Sequence, residues 1–313
     1  MDTSTKALFP ARPLLSIVAQ GMNRNAYQQN GPMGVRTMCA PTGGSFTGTH
    51  LTGETITGRV AKGLGTESQL SSDKQKSLTF IDGQLTLITD KGGPILIKYR
   101  GRKSAFYGAS WRVGASFETD EGGEADWLND IVAFGTVQSK ENDFHFTFHE
   151  ILPYEANVDS HALVVFPLYT LNANGAVGER YTIHSPIGGR YFSVSERGAE
   201  AKGKLTATSP AGFWWGAHRS SRFDGPNQGL PYHVDLTKTF ITPSEDVVFQ
   251  PYIGTNSRDI LANISDVNKR SWVTLAMFEA DPTGPEAYLN EILALGTGRV
   301  VNNEVYYEYW MLQ

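Results

Sequence analysis

Cysteine is almost absent from this sequence: Cys39 is the only one among 313 residues. One thiol cannot form an internal disulfide, and no group of Cys and His residues appears at the spacing of metal ligands. This composition fits a reducing compartment. We therefore expect a cytoplasmic protein without a metal or other cofactor.

Charged residues and long apolar runs are also scarce. Only 19% of the residues are charged, the formal net charge is −5, and Lys and Arg are scattered. The basic patch typical of nucleic-acid or anionic-membrane binders is missing. The longest apolar run, around "ALVVFPLY", is far shorter than the roughly 20 residues that span a bilayer, and the opening stretch has no basic leader before a long apolar core. We expect neither partner and leave a homodimer open.

Glycine and alternating apolar residues are abundant instead. The 33 glycines suit tight turns and bent strands. Alternation with period two recurs in several segments, which predicts strands. These segments are "LTLIT" (85–89), "ILIKYRG" (95–101), "FHFTFHEI" (144–151), "DVVFQPYIG" (246–254) and "EVYYEYWML" (304–312). Only "ADWLNDIVAFG" and its later counterpart leave room for a helical turn, so the sequence predicts an all-β protein.

An internal repeat divides the chain. "FETDEGGEADWLNDIVAFGT" (117–136) returns as "FEADPTGPEAYLNEILALGT" (278–297), at an offset of 161. Earlier matches keep the same order at offsets of 145 and 153, which insertions in loops of the second half explain. We predict two copies of one β domain, 1–153 and 154–313. A closed antiparallel barrel hides the edges of such a sheet and can hold one small ligand.

The first half resembles a known family. "PTGGSFTGTHLTGETITG" (41–58), "DGQLTLITDKGGPILIKYRGR" (82–102) and the 117–136 segment look like the domain-of-unknown-function 3237 family, and a more divergent copy covers about 178–312. The resemblance implies two antiparallel barrels similar to the allene-oxide-cyclase barrel. The family carries an Asp-Trp pair where this chain has Glu67-Ser68 and Trp214-Trp215. Neither half keeps the aspartate, so we expect the two pockets to have diverged.

Several residues are candidates for chemistry, each with a plainer alternative. His145 and His149 share one face of the strand 144–151, opposite three phenylalanines, and either line a cavity or face solvent. Glu118 acts in proton transfer or pairs with an arginine such as Arg100, Arg102 or Arg112. Asn129 orients a carbonyl or caps a turn.

The segment "GFWWGAHRSSRFDG" (212–225) concentrates aromatic and basic residues between glycines. It predicts either a lid over a pocket or a seam between domains. Cys39 and His184 hold equivalent places in different copies, which argues against a Cys-His dyad. No phosphate-binding loop or nucleophile elbow is present in the sequence.

Together with the resemblance to allene-oxide-cyclase-like barrels, which implies this kind of chemistry, these residues favour a cofactor-independent isomerase or cyclase acting on a small apolar natural-product intermediate of secondary metabolism. The alternative is a lipocalin-like carrier of a hydrophobic metabolite, and a third reading is a structural module with filled barrels. The candidates for proton transfer are His145, His149, His218, Glu118 and Glu308. Those for substrate binding are Arg100, Arg112, Asn129, Trp111, Trp127, Trp214, Trp215, Tyr252 and Trp310.

Overall fold

The computed structural model describes two sets of residues. The backbone is described for 7–24, 26–32, 34–71, 78–151, 161–174, 181–184, 190–195, 200–209, 218–219, 237–241, 247–256, 271–284, 287–301 and 304–312. Side chains are described for 11–24, 26–32, 34–71, 78–105, 107–151, 275–284 and 287–296. The chain divides into two compact units, Phe9–Ala162 and Leu163–Gln313 with Met1–Leu8. The predicted boundary after residue 153 stays a prediction.

Ten strands and two short 3-10 helices belong to the first part of the chain. The strands are β1 (Ala7–Gln20), β2 (Tyr27–Gly31), β3 (Gly34–Cys39), β4 (Gly43–Thr49), β5 (Thr55–Ser71), β6 (Thr79–Thr89), β7 (Pro94–Lys103), β8 (Trp111–Thr119), β9 (Val132–Lys140) and β10 (Asp143–Ile151). The 3-10 helices are Ala105–Tyr107 and Asp126–Asp130.

Eight of these strands close into an antiparallel barrel. Hydrogen-bonded ladders run from β1 through β4, β5, β6, β7, β8, β9 and β10 and return to β1. At the closing seam, Ile17 lies opposite Phe146 on β10 and opposite Phe46 on β4. Closure leaves these strands without a free edge along the paired segments. The expected all-β class and a closed barrel are therefore confirmed for this unit.

The alternation along each barrel strand sends its apolar side chains inward. On β10, Phe144, Phe146 and Phe148 are at most 2% exposed, while the residues between them are half-buried. Several of the inward-pointing aromatic rings lie over a glycine of the neighbouring strand. Any larger residue at that position would overlap the ring with its side chain. Phe46 covers Gly58 in this way, and Phe148 covers Gly135.

One end of the barrel holds a buried ion pair. Arg12 on β1 lies opposite Glu150 on β10, and their side chains form a salt bridge. The Arg12 guanidinium also donates a hydrogen bond of 2.6 Å to the carbonyl of Thr49, at the end of β4. This pair therefore joins the three strands that meet at the seam.

The second unit is also built from strands. They are β11 (His161–Asn174), β12 (Tyr181–His184), β13 (Arg190–Ser195), β14 (Glu200–Ser209), β15 (His218–Arg219), β16 (Thr237–Ile241), β17 (Val247–Asn256), β18 (Ser271–Met277), β19 (Leu293–Val301) and β20 (Glu304–Leu312), with a 3-10 helix at Ala287–Glu291. Antiparallel ladders join β17, β18, β19, β20 and β11 in that order. A second closed barrel stays a prediction.

Local structure recurs between the units at the offset found in the sequence. The 3-10 helices Asp126–Asp130 and Ala287–Glu291 lie 161 residues apart, as do the starts of β9 and β19 and of β10 and β20. The predicted helical turns are confirmed at both places. Among the described residues, no helix has the length and hydrophobicity needed to cross a membrane.

Candidate functional site

A bulge in β5 determines which of its side chains enter the barrel. Val60 pairs with Leu87 on β6, but the next paired residue is Gly65, opposite Leu85. Four residues of β5 therefore face one residue of β6, and the inward positions change from even to odd numbers. Beyond this bulge, Glu67 points inward and is completely buried, at 0% exposure.

Glu67 belongs to a row of residues that lie side by side on four strands. Cys39 on β3 pairs with Glu67, Glu67 pairs with Gly83 on β6, and Gly83 pairs with Tyr99 on β7. A Cβ atom at Gly83 would overlap the Tyr99 ring. The missing side chain thus lets Tyr99 reach across β6 to the carboxyl group of Glu67.

Both oxygens of the Glu67 carboxyl group accept a hydrogen bond. The Tyr99 hydroxyl donates to Oε2 over 2.7 Å, and the Gln69 amide donates to Oε1 over 2.6 Å. Tyr99 is 1% exposed, and its ring also packs edge-on against Phe146, with the centroids 5.3 Å apart. The carboxyl group is therefore fixed in orientation inside an otherwise largely apolar interior.

Burial changes the acid strength of this group. It raises the pKa of Glu67 from 4.5 to about 7, although the hydrogen bonds from Tyr99 and Gln69 counteract part of the increase. Burial and the nearby carboxylate also raise the pKa of Tyr99 well above 10, so its hydroxyl stays neutral. A carboxyl group that titrates near neutral pH beside a neutral donor can both accept and return a proton.

Cys39 lies next to this site without being a nucleophile. Its thiol donates a weak hydrogen bond of 3.8 Å to the Glu67 carbonyl. Burial, and secondarily the charge of Glu67, raise the pKa of Cys39 to about 12. Because the thiolate is the reactive form, this thiol is inert at neutral pH.

The two predicted histidines lie on the opposite face of β10 from its buried phenylalanines. His145 is paired with Val18 and Gln138, and His149 with Pro13 and Phe134. Both are half-buried and point away from the barrel interior. The structure therefore does not bring them together with Glu67, and their role in proton transfer stays a prediction.

Glu118 and Arg100 form exposed ion pairs on the outer face of the barrel. Glu118 lies 3.3 Å from Lys98, and Arg100 lies 3.3 Å from Asp82. The sequence offers two alternatives for Glu118, proton transfer or an ion pair. The structure shows the ion pair, with a lysine as the partner where an arginine was expected.

Arg112 and Trp111 point in opposite directions from β8. The half-buried Arg112 stacks on Tyr107, with the guanidinium carbon 5.2 Å from the ring centre, and burial lowers its pKa. Trp111 is 3% exposed and packs edge-on against Phe144 in the barrel interior. This candidate for substrate binding therefore lines the inside of the barrel.

Asn129 fastens the loop between β8 and β9. Its side-chain oxygen accepts a hydrogen bond of 2.8 Å from the Thr119 amide, and its nitrogen donates to the Thr119 carbonyl and to Asp126. Asn290 clamps Ala280 through the same two backbone groups. These contacts give Asn129 the turn-stabilising role that the sequence left open.

The structure describes the remaining predicted residues in less detail. Trp127 is half-buried at the end of the barrel, and its ring centre lies 4.8 Å from that of His50. Trp214 and Trp215 lie outside the described residues, as does most of the 212–225 segment. Only the backbone is described for His218, Tyr252, Glu308 and Trp310, on β15, β17 and β20.

Glu67 is the functional candidate that alternation in the sequence misses. Its strand contains a bulge, so counting residues from Val60 places Glu67 outside the barrel. The resemblance noted in the sequence concerns the same place, where Glu67-Ser68 stands in the position of an Asp-Trp pair. Among the described residues, no three of His, Cys, Asp and Glu are grouped closely enough to hold a metal ion.

Comparison with known proteins gives structural likenesses only. No family model and no curated protein matches the chain. A β-barrel-like protein from Acinetobacter baumannii is similar, with 22% identity over 47% of this chain and 97% of that one, at a TM-score of 0.38. A conserved protein of unknown function from Rhodopseudomonas palustris has 19% identity over 47% and 100%, at 0.39. A protein of unknown function from Clostridium acetobutylicum has 17% identity over 45% and 99%, at 0.38. At such TM-scores, the barrel assignment rests on the strand ladders alone.

Proposed function

We propose that this protein is a cofactor-independent isomerase or cyclase that moves a proton within a small, largely apolar molecule. The observation that carries the proposal is the buried Glu67 carboxyl group, which titrates near pH 7 and is hydrogen-bonded to Tyr99. An acid-base group is most effective when its pKa lies near the working pH. The aromatic and aliphatic side chains of the interior favour an apolar substrate.

Within this proposal, the reaction belongs to the first unit. In the second half, Tyr252 stands at the place of Tyr99, but the segment corresponding to Glu67 contains Trp214 and Trp215. A half without the carboxyl group lacks the acid-base residue. We further propose that both halves are divergent copies of the domain-of-unknown-function 3237 family, as the recurring clamps of Asn129 and Asn290 support.

The biological setting is part of the same proposal. The single cysteine supports a cytoplasmic protein, and the resemblance to allene-oxide-cyclase-like barrels supports a role in secondary metabolism with a small hydrophobic compound as partner. Because Glu67 is fully buried, such a compound reaches it only when neighbouring side chains move.

The test compares wild type with Glu67→Gln on three probes: limonene oxide, citral and the β,γ-isomer of cyclohexenone. Binding is measured by saturation-transfer NMR, and products of unchanged mass are sought by gas chromatography and mass spectrometry. We expect wild type to convert at least one probe that Glu67→Gln binds but does not convert. Equal binding by both proteins without conversion supports the carrier function instead, and absence of binding contradicts both.

A further inference from the structure

We propose that the substrate is an uncharged, enolisable carbonyl compound with a β,γ double bond, held with its oxygen at Tyr99 and its acidic carbon at Glu67. This inference rests on the proposed function and names the substrate class for the same site. It follows from the donors, acceptors and charges that the structure places around the Glu67 carboxyl group.

The charges around the site favour a neutral substrate. On β6 and β7, Asp82, Lys98 and Arg100 are exposed on the outer face of the barrel, whereas Arg102, three residues beyond Tyr99, is buried and stacks on the Phe80 ring. Among the described residues, Glu67 forms no ion pair, and its pKa is determined by burial and by the hydrogen bonds from Tyr99 and Gln69. A phosphate or carboxylate beside Glu67 would add a second buried negative charge.

The hydrogen-bond donors favour a carbonyl oxygen. Gln69 holds Oε1 of Glu67, whereas the Tyr99 hydroxyl lies 2.7 Å from Oε2 and can rotate towards an acceptor beside it. Its raised pKa keeps Tyr99 a hydrogen-bond donor throughout the neutral range. A neutral phenol in a water-excluded site stabilises the negative oxygen that forms when a carbonyl compound loses an adjacent proton.

The reaction is balanced without a co-reactant. The Glu67 carboxylate removes a proton from the carbon between the carbonyl group and the double bond. The C–H electron pair becomes a new carbon–carbon double bond, and the carbonyl π pair moves onto the oxygen, which accepts the Tyr99 hydrogen bond. Protonated Glu67 then delivers its proton to the far carbon of the original double bond. The carbonyl re-forms, the remaining double bond is conjugated with it, and the carboxylate is regenerated.

The experiment uses the full-length protein and the β,γ-isomer of cyclohexenone in deuterated water. Proton NMR follows formation of the conjugated isomer, and it shows whether the proton lost next to the carbonyl group reappears at the far carbon. We expect wild type to accelerate isomer formation and to transfer this proton without replacing it by deuterium. Glu67→Gln should lose about a hundredfold to ten-thousandfold of the rate, and Tyr99→Phe about a hundredfold or more. Glu54→Gln and Tyr27→Phe are the matched controls, because both side chains are exposed.

The outcomes separate this inference from the proposed function. Conversion of limonene oxide by wild type without isomerisation of the enone overturns the substrate class and leaves the isomerase intact. An unchanged rate in Tyr99→Phe, with Glu67→Gln inactive, also overturns it, because the carbonyl oxygen then has another partner. No conversion of any bound probe overturns both. Thermal melting of each variant shows whether a lost rate reflects loss of the fold.

Discussion

At the scale of single residues, the site depends on one missing side chain. The Tyr99 ring lies over Gly83, and only this path brings its hydroxyl to Glu67 across the intervening strand. Aromatic rings lie over glycines elsewhere in the same barrel, but there the ring is phenylalanine and the contact serves packing alone. Gly83 therefore connects the packing of the interior to the chemistry of the carboxyl group.

We predict that Gly83→Ala displaces Tyr99 and lowers the stability of the fold by about 1–3 kcal/mol, the usual cost of overpacking a core. Loss of the Tyr99 hydrogen bond should also raise the pKa of Glu67 further, because this bond favours the ionised form. Chemical denaturation and carboxyl-labelled NMR measure the two effects. Gly31→Ala is the control, since a Cβ there meets only one atom, 3.7 Å away. Wild-type stability in Gly83→Ala would contradict the packing described for Tyr99.

We predict that stability falls as the pH rises from about 4.5 to about 7, because the folded state holds the Glu67 proton in this range and the unfolded chain releases it. The contribution of this group is present below the unfolded pKa and is lost above the folded one. At about 1.4 kcal/mol per pKa unit, the shift corresponds to about 3 kcal/mol. Urea denaturation at several pH values should show this slope in wild type and a smaller slope in Glu67→Gln. Equal slopes would show that Glu67 ionises normally in the folded protein.

At the scale of elements, alternation and turn residues predict most of what the structure shows. The segments 85–89, 95–101 and 144–151 lie within β6, β7 and β10, and the one expected helical turn of the first half is the 3-10 helix Asp126–Asp130. These features depend on neighbours in sequence, which a pattern can represent. The sequence does not predict that the phenylalanines of β10 point inward, because alternation separates the two faces of a strand without showing which face is buried.

The site itself depends on features that local patterns do not contain. Glu67 enters the barrel because of an irregularity in β5, and its donor comes from β7, more than thirty positions along the chain. Alternation therefore favours His145 and His149, which have titratable side chains in a regular strand.

The loop between β8 and β9 yields a prediction at this scale. Asn129→Ala leaves the Thr119 amide and carbonyl without their side-chain partner, so we expect a loss of about 1–3 kcal/mol. Hydrogen exchange at the Thr119 amide should become faster in the variant. Asn290→Ala is the matched substitution for the second unit and should accelerate exchange at Ala280 instead. If both variants affect both amides equally, the two clamps do not act locally.

At the scale of the whole molecule, the ladder that closes the barrel is contained in one unit. This unit, Phe9–Ala162, contains all eight barrel strands except the first two residues of β1. It also contains the buried Arg12–Glu150 pair and the row of residues around Glu67. A closed sheet with its own core meets the usual description of a domain. The second unit shares local elements with the first, among them the 3-10 helix Ala287–Glu291 and the Asn290 clamp.

We predict that residues 9–162 fold alone, because every barrel ladder and the apolar core are complete within them. The fragment should unfold in a single cooperative transition. Its Glu67 should still titrate near pH 7, as measured by carboxyl-labelled NMR. A fragment that stays unfolded in native buffer would show that the second unit is required for the barrel.

The seam between β1 and β10 also determines how the barrel responds to mechanical force. Ala11 and Ile151 face each other where the two strands meet the ends of the unit. A force applied at the two ends of the unit acts perpendicular to β1 and β10, so the hydrogen bonds between these strands break one after another. A force parallel to the strands would load all of these hydrogen bonds at once. Tethered by its own ends in an optical trap, the barrel should therefore yield at low force, by peeling open from this rung.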